Sequence, residues 1–325
     1  MYEKIVVVTR RTRLDELIAR FNTAGQARFY IEHAGGDFAD YEREHAAYQR
    51  ALDRLRRDLE LGLPRQFLDR SLLPTYTFGP VDLIVTLGQD GLVANTAKYA
   101  GAQPIVGVNP DPARYDGILL PFAPEDARDA VVRVLEDRAS SRLVTLAEAA
   151  LLDGQKLLAF NDLFIGARSH VSARYRLRFR GREENQSSSG VLVSTGAGST
   201  GWMSSVFNMA AGVTRFAGGT GAGGMRLDWE DRRLLFAVRE PFRSRHSAAD
   251  LVAGLVEPDA GIEIESLMPS GGVIFSDGVE SDFLEFNSGA VARIHPAAGR
   301  ARLVTAPAGR EGAARSERLE SLVHA

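Results

Sequence analysis

Residues 81–98 read Val81-Asp-Leu-Ile-Val-Thr-Leu87-Gly88-Gln89-Asp90-Gly91-Leu92-Val-Ala-Asn-Thr-Ala-Lys98. Val81 to Leu87 is a short apolar, β-branched run, which predicts a strand covered on both faces, and Leu92 to Tyr99 continues at helical spacing. A strand that ends in glycine and feeds a helix leaves unpaired N–H groups, and the positive end of the helix dipole, facing whatever lies above the turn. Such a turn suits a phosphate. Asp90 places a carboxylate where that phosphate would sit, so a metal ion or a polarised hydroxyl has to mediate between them. The other reading of the stretch is a tight strand-to-helix turn in which Asp90 caps the helix.

Outward from this stretch, the first third of the chain alternates strand and helix. Lys4 to Val8 reads as a strand with Arg10 and Arg11 at its exit, and Thr12 can cap a helix that aligns Leu14, Leu17, Ile18 and Phe21. A second helix is expected from Asp40 to Leu61, followed by a connection punctuated by Pro64, Pro74 and Pro80. Pro104 to Val108 reads as another buried strand, ending in Asn109-Pro110-Asp111-Pro112, a rigid loop expected on the same sheet edge as residues 88–91, where parallel sheets bind ligands. Asn109 and Asp111 are therefore candidate contacts to a sugar hydroxyl or a metal-bound water, and equally ordinary turn residues. A helix from Pro124 to Asp137 completes a Rossmann-like α/β domain with a parallel sheet, assigned to residues 1–145.

Beyond that point the apolar period falls from 3.6 to 2. Arg174 to Arg180 alternates strictly, as does Gly261 to Glu265, and Leu234–Val238 and Val291–Ile294 follow more loosely. Residues 146–306 are therefore expected to form an antiparallel all-β, sandwich-like domain, with the alternate arginines from 174 on a solvated sheet face. The charged, small-residue tail 307–325 is expected to be mobile. His33 and His45 have no partners at metal-ligand spacing.

The chain has 325 residues, 45% hydrophobic and 25% charged, with a net charge of −3. That balance gives no electrostatic reason to expect nucleic acid. Without cysteine, disulfides, thiolate metal sites and cysteine nucleophiles are excluded. The opening Met-Tyr-Glu-Lys-Ile-Val-Val-Val enters a strand at once and lacks a signal-peptide layout, which predicts a cytoplasmic protein. Asn185 to Thr214 carries no charge, but its Ser, Thr, Gly and Asn content argues against a membrane span.

Two stretches spell G-x-G-x-x-G. Gly219 to Gly224 lacks the flanking strand and helix of a dinucleotide fingerprint and reads as a flexible loop. Gly196 to Gly201 follows a strand-like run and precedes a helix-like one, yet no acidic residue stands about twenty positions on, and Trp202 occupies the place of a Walker lysine. What remains there is a hydroxyl-rich turn beside an aromatic ring, which suits a nucleoside. Asn161-Asp162 interrupts the apolar run Leu157 to Gly166; both are poor strand formers, so they mark either a ligand contact or a bulge or turn. Ser276-Asp277-Gly278 reads as a hairpin turn or a further site residue. Arg239, Arg243 and Arg245 read as an exposed cluster or a phosphate grip.

Gly88–Gly91, Asn161–Asp162, Ala197–Trp202 and Ser276–Gly278 come in the order found in the NAD kinase family, and over most of the chain up to about residue 300 the layout is similar too. Gly107–Pro112 and Phe160–Gly166 are most similar to the branch of mitochondrial NAD kinase and its bacterial relatives. The resemblance implies transfer of a phosphoryl group from ATP, with Mg²⁺, to the 2′-hydroxyl of the adenosine ribose of NAD. It implies that Gly88, Gln89 and Gly91 hold phosphate and that Asp90 acts on the acceptor hydroxyl. Asn161 and Asp162, with Thr200, Gly201, Trp202 and Ser205, would hold the adenosine half; Asn109 and Asp277 are further possible contacts. A homodimer is also implied. The sequence departs from the family pattern at Gln89, Leu92, Asp162, Gly201 and Trp202. Two other readings stand beside this one: a lipid, sphingoid-base or sugar kinase with the same loop, and a non-catalytic dinucleotide-binding sensor.

Overall fold

The computed structural model describes residues 2–221 and 223–307; the tail expected to be mobile lies, from residue 308, outside the described residues. The described residues form two compact units, one of residues 2–142 and 302–307 and one within residues 143–301.

The first unit runs β1 (Lys4–Thr9), α1 (Arg13–Phe21), α2 (Ala24–His33), α3 (Phe38–Asp58), β2 (Arg65–Asp69), β3 (Asp82–Leu87), α4 (Asp90–Ala100), β4 (Pro104–Val108) and α5 (Ala127–Leu135). Its strands pair in parallel in the order β2-β1-β3-β4. Residues 302 and 303 then pair in parallel beyond β4. Ile5, Val7, Leu83, Val85 and Val106 pack on Leu52 and Leu55 of α3 and Val131 of α5, which is the layered α/β core that the strand runs predicted. Thr12 caps α1 in a reciprocal capping box with Asp15. The strand β2 and a turn of 3₁₀ helix at Arg70–Thr75 lie in the connection that the sequence predicted to be irregular, and α2 lies in a stretch for which the sequence reading predicted no element.

At the C-terminal edge of this sheet the exits of β1 and β4 are tied to α3 by ions. Glu44 lies buried and bonds Arg10 at 2.7 Å and Arg13 at 3.2 Å. Asp40 takes Arg13 and a two-pronged Arg114, and these guanidinium contacts hold its carboxyl well below the usual range. The Tyr48 hydroxyl accepts from the Arg10 N–H at 2.9 Å and donates to the Leu87 carbonyl at 3.2 Å, joining the exits of β1 and β3.

The second unit begins within β5 (Ser141–Leu151) and continues β6 (Lys156–Ala159), β7 (Asp162–Ala167), β8 (Ala173–Phe179), β9 (Arg182–Ser188), β10 (Val191–Ser194), α6 (Trp202–Phe216), β11 (Leu234–Val238), β12 (Ala253–Val256), β13 (Ile262–Ser266), β14 (Gly272–Ser276), β15 (Val279–Glu285) and β16 (Val291–Val304). One antiparallel sheet has the order β12-β11-β10-β7-β14-β15; the other runs β16-β13-β8-β9, with β5 on β16 and β6 on β5. Their facing side chains, among them Tyr175, Leu177, Ile264 and Ile294 from one sheet and Ile165, Val193, Phe236 and Ile274 from the other, form a shared core. The alternating arginines of β8 are paired across strands: Arg178 meets Glu183, Glu263 and Glu265, and Arg176 meets Glu265. One expectation is corrected here. Leu157 to Gly166 reads as a single strand but is two, β6 and β7, separated at Phe160-Asn161.

Removing one partner of a buried ion pair strands the other charge, at a cost of about 3–5 kcal/mol. Glu44→Ala is therefore expected to lower the unfolding free energy by that order in chemical denaturation; a loss below about 1 kcal/mol would show that Arg10 finds water instead.

Candidate active site

The turn after β3 is closely packed on one side and open on the other. A Cβ on Gly88 would lie 2.7 Å from the Leu92 side chain and 3.5 Å from Arg10, whereas one on Gly91 would meet nothing within 4 Å. α4 starts at Asp90, two residues earlier than its apolar spacing suggests, with Gln89 at the cap position making no side-chain capping bond. Capping by Asp90 is not what the structure shows either. Its half-buried carboxylate reaches sideways, and Oδ1 accepts the Leu119 N–H at 2.6 Å. Oδ2 has no hydrogen bond to protein among the described residues, and it belongs to the first residue of a helix, whose opening N–H groups lack i−4 partners.

The donor at Leu119 is positioned by β4 and the loop after it. Gly107 in β4 has no room for a side chain, since a Cβ there would stand 2.2 Å from the Leu119 carbonyl oxygen. Asn109 is buried; its amide donates to the Tyr115 carbonyl and its Oδ1 accepts from the Asp111 N–H. It shapes the loop with both ends of its amide. Asp111 pairs with Arg114 at 3.5 Å.

In the second unit, Asn161 and Asp162 sit at the break between β6 and β7. The Asp277 carboxylate, on a residue at φ 54°, accepts the N–H groups of Phe160, Asn161 and Asp162 at 3.0, 2.6 and 3.3 Å. Thr195 packs onto the same break through its hydroxyl to the Phe160 carbonyl and its N–H to the Asn161 carbonyl. Gly198 lies so close that a Cβ would stand 2.2 Å from the Asn161 oxygen. Asp162 Oδ1 is buried and has no hydrogen-bond partner among the described residues. Burial drives its carboxyl up to about 7, with the Ser194 hydroxyl opposing and the Asp277 charge adding to the rise. Thr200, Gly201 and Ser205 are exposed around the start of α6, and Trp202 is half-buried there. The break and this turn are thus neighbours, joined through Asn161, Thr195 and Gly198.

No family model matches the sequence. The NAD kinase of Chlorobium phaeobacteroides is 28% identical over 136 residues, which is 40% of this chain and 45% of that relative, so the match spans less than half of the relative's length. Yeast NADH kinase, solved with NADH, superposes with a TM-score of 0.56 at 17% identity, covering 94% of this chain and 84% of the other. An NAD kinase from Archaeoglobus fulgidus, solved with ATP, gives 0.55 at 18% identity and covers 92% of each chain. This chain resembles the NAD kinases in sequence and has their fold. In this NAD kinase-like chain, sequence reasoning missed Leu119, Gly107 and the Glu44–Arg10–Tyr48 ties. A backbone donor leaves no residue-type signal, but Gly107 in the middle of a β-branched run was visible as a point of close approach.

Among the described residues no three His, Asp or Glu side chains gather as a metal cage, and no helix is long and apolar enough to cross a membrane. His33 and His45 make local contacts, to the Phe29 carbonyl and the Thr12 hydroxyl.

Two outcomes follow from this geometry. Gly107→Ala must push back the Leu119 carbonyl, costing about 1–3 kcal/mol in a thermal melt and displacing the N–H that holds Asp90, which a crystal structure of the variant would show; unchanged Leu119 would contradict this account. For Asp162, a carboxyl raised from 3.8 to about 7 keeps a proton in the folded state that the unfolded chain has already released. Its contribution therefore makes stability fall as pH climbs through that window. Asp162→Asn is expected to flatten this part of the Tm–pH curve and to raise Tm at pH values above it, and an identical slope in variant and parent would sink the assignment.

Proposed function

We propose that this protein is a phosphotransferase of the NAD kinase type, moving the terminal phosphoryl group of ATP to the 2′-hydroxyl of the adenosine ribose of NAD. The observation that carries the reading is the Asp90 carboxylate, with one oxygen fixed by the Leu119 N–H and the other unengaged at the start of α4. The likeness to NAD kinases supports it.

Phosphoryl transfer passes through a loose transition state that needs placement and charge neutralisation more than a strong base. The N–H groups at Gln89–Gly91 and the helix dipole bind donor phosphate oxygens. Oδ2 of Asp90 accepts the hydrogen bond of the ribose 2′-hydroxyl and orients its oxygen. As the O2′–P bond forms and the bond to the leaving ADP breaks, the hydroxyl proton passes to Oδ2. Asn161 and Asp162, with Thr200, Gly201, Trp202 and Ser205, hold the adenosine half; a ligand hydroxyl donating to Asp162 Oδ1 satisfies an atom that the protein leaves unpaired. Asp277 acts one step back, holding the backbone of that turn.

The residues present fit a Mg²⁺ ion that is carried by the donor phosphates, because such an ion keeps its waters and takes only one or two carboxylates. Asp90 would meet it through one of the ion's coordinated waters, which leaves Oδ2 for the hydroxyl proton. Bound there, the ion would neutralise the charge that builds on the phosphoryl oxygens.

A homodimer is part of this reading. On α6, Met209, Val213 and Phe216 recur on one face and are exposed, leaving an apolar stripe for a partner copy.

Asp90→Asn keeps the Leu119 contact through its amide oxygen while losing the proton acceptor. The variant is expected to bind ATP and NAD within about threefold of the parent and to lose turnover by about 10²–10⁴-fold, the usual worth of a placed proton acceptor. The assay supplies ATP, Mg²⁺ and, in turn, NAD⁺, NADH, sphingosine and simple sugars. NADP formation by the parent and its loss in the variant agree with the proposal; parent-like turnover by Asp90→Asn ends the assignment to Asp90. Transfer to sphingosine or a sugar alone would favour the lipid or sugar kinase reading, and NAD binding without transfer the sensor.

A further inference from the structure

Gly219–Gly224 spells G-x-G-x-x-G without the strand and helix of a dinucleotide fingerprint, and the structure gives these glycines a different use. α6 ends in a left-handed closing turn: Gly218 has φ 82°, and the N–H groups of Gly218 and Gly219 donate to the Arg215 and Thr214 carbonyls at 3.0 and 2.9 Å. The chain then doubles back along the helix. A Cβ on Gly219 would stand 2.9 Å from the Thr214 side chain, one on Gly221 2.9 Å from the Ala211 carbonyl oxygen, and one on Gly224 3.2 Å from the Phe207 side chain. A Cβ on Gly223 would meet nothing within 4 Å.

Thr214, Ala211 and Phe207 stand three and four residues apart, and Met203 four further on, so the four share one stripe of α6. Met203 and Phe207 pack that stripe on Leu192, Leu235 and Ala237 of the sheet. Further along the helix the returning chain covers the same stripe, and glycine lets backbone lie directly on it. The spacing of the glycines is thus a packing pattern matched to the turns of the helix.

At its far end the returning segment meets the hydroxyl-rich turn Gly196–Gly201. The buried Ser199 hydroxyl donates to the Gly196 carbonyl at 2.7 Å and accepts the Leu227 N–H at 3.3 Å. Leu227 packs on the same apolar cluster as Trp202. Gly196 lies against the Asp228 carbonyl with no room for a Cβ. The next two carbonyls, of Trp229 and Glu230, accept the N–H and the hydroxyl of Thr145 in β5 at 2.9 and 3.4 Å. Among the described residues between Gly219 and Leu227 no hydrogen bond is made, so the segment is anchored at its ends and fitted by glycine in the middle.

We infer that the described residues of the segment 218–228 are a positioning strap for the turn that presents Thr200, Gly201 and Trp202, with Ser199 as its joint, and that the strap sets the affinity for the adenosine half of the ligand. The inference rests on the reading that this turn holds that half. The turn is gripped from two sides. Thr195 and Gly198 seat it on the Asn161 break, and Ser199 and Gly196 seat it on the strap. Loosening the second contact frees Thr200 to Trp202, and a loose turn has to be ordered on binding, which weakens it. Ser199 is a positioning residue: its hydroxyl is engaged within the protein and takes no part in transfer.

Gly221→Ala and Gly223→Ala make the same change two residues apart, one against the Ala211 backbone and one in open space. In calorimetric titration with NAD⁺ in the absence of ATP, Gly221→Ala and Ser199→Ala are each expected to weaken binding about three- to tenfold, the order of one lost hydrogen bond. Gly223→Ala is expected to bind like the parent. Turnover at saturating NAD⁺ and the KM for ATP are expected to stay within about twofold in all three variants, a split that marks lost binding rather than lost chemistry. Trypsin cleavage after the exposed Arg226 reports the strap itself. It is expected to be faster in Gly221→Ala and Ser199→Ala than in Gly223→Ala, and slower in the parent once NAD⁺ is bound. Thermal melts check folding, and Gly221→Ala keeps the test open should Ser199→Ala fail to fold. Parent-like NAD⁺ affinity in a folded Gly221→Ala overturns the inference, as does equal weakening in Gly223→Ala. A parent that binds no NAD⁺ is a different result: it defeats the adenosine reading and the strap's role with it, whereas a parent that binds and variants that bind alike defeat the strap alone.

Discussion

A single backbone hydrogen bond, from the Leu119 N–H to Oδ1 of Asp90, decides what the first unit can offer chemically. Without it a carboxylate at the first position of a helix would turn inward to the free N–H groups around it, as helix-start acids commonly do. With it, one oxygen is held aside and the other is left to outside chemistry. The contact spans 29 residues and needs three other features: a strand position without a side chain at Gly107, a loop organised by the Asn109 amide, and the exits of β1 and β3 joined by Tyr48. The site is therefore a property of the whole C-terminal edge of the sheet rather than of the Gly88–Gly91 turn.

The second unit solves a related problem with a different device. A break between two strands exposes backbone N–H groups that have no ladder partner, and buried donors of that kind are costly. Asp277 takes three of them on one carboxylate. That leaves Asp162 on the far side of the break with a buried oxygen and no donor, the reverse of ordinary core economy. Groups that a fold leaves unsatisfied while satisfying all their neighbours are the ones that a ligand can complete.

How much of this the sequence discloses follows from which features have a residue-type signature. The β3 run, the Gly-Gln-Asp-Gly turn, α3, and the alternation in β8, β11 and β13 were legible because periodicity and glycine report burial and backbone shape directly. α2 was not, since only Ala27 and Ile31 of its ten residues are buried and its apolar pattern is correspondingly faint. The split of Leu157–Gly166 into two strands was half legible: Asn161-Asp162 marked the irregularity, but the carboxylate that stabilises it comes from more than a hundred residues downstream. Asp90 stood out as a type of residue in an unusual place. Its partner did not, because any residue at 119 could donate the same N–H. The paired arginines of β8 read as a solvated face because their glutamates lie on other strands.

Those pairs bear on how molecules of this protein meet one another. β9 closes one end of its sheet; Phe242 and Ala248 cover part of its outer edge by donating to the Ser187 and Asn185 carbonyls, and the stretch left uncovered is a template on which a foreign strand can grow. Here the edge presents Arg182, Glu183 and Glu184, with Glu183 locked to Arg178 of the strand behind it. An arriving segment would have to lay its own side chains beside a fixed mosaic of both signs, and few apolar segments can do so without stripping water from those charges. The lattice that steadies the sandwich from within thus also discourages fibrils from starting at its border.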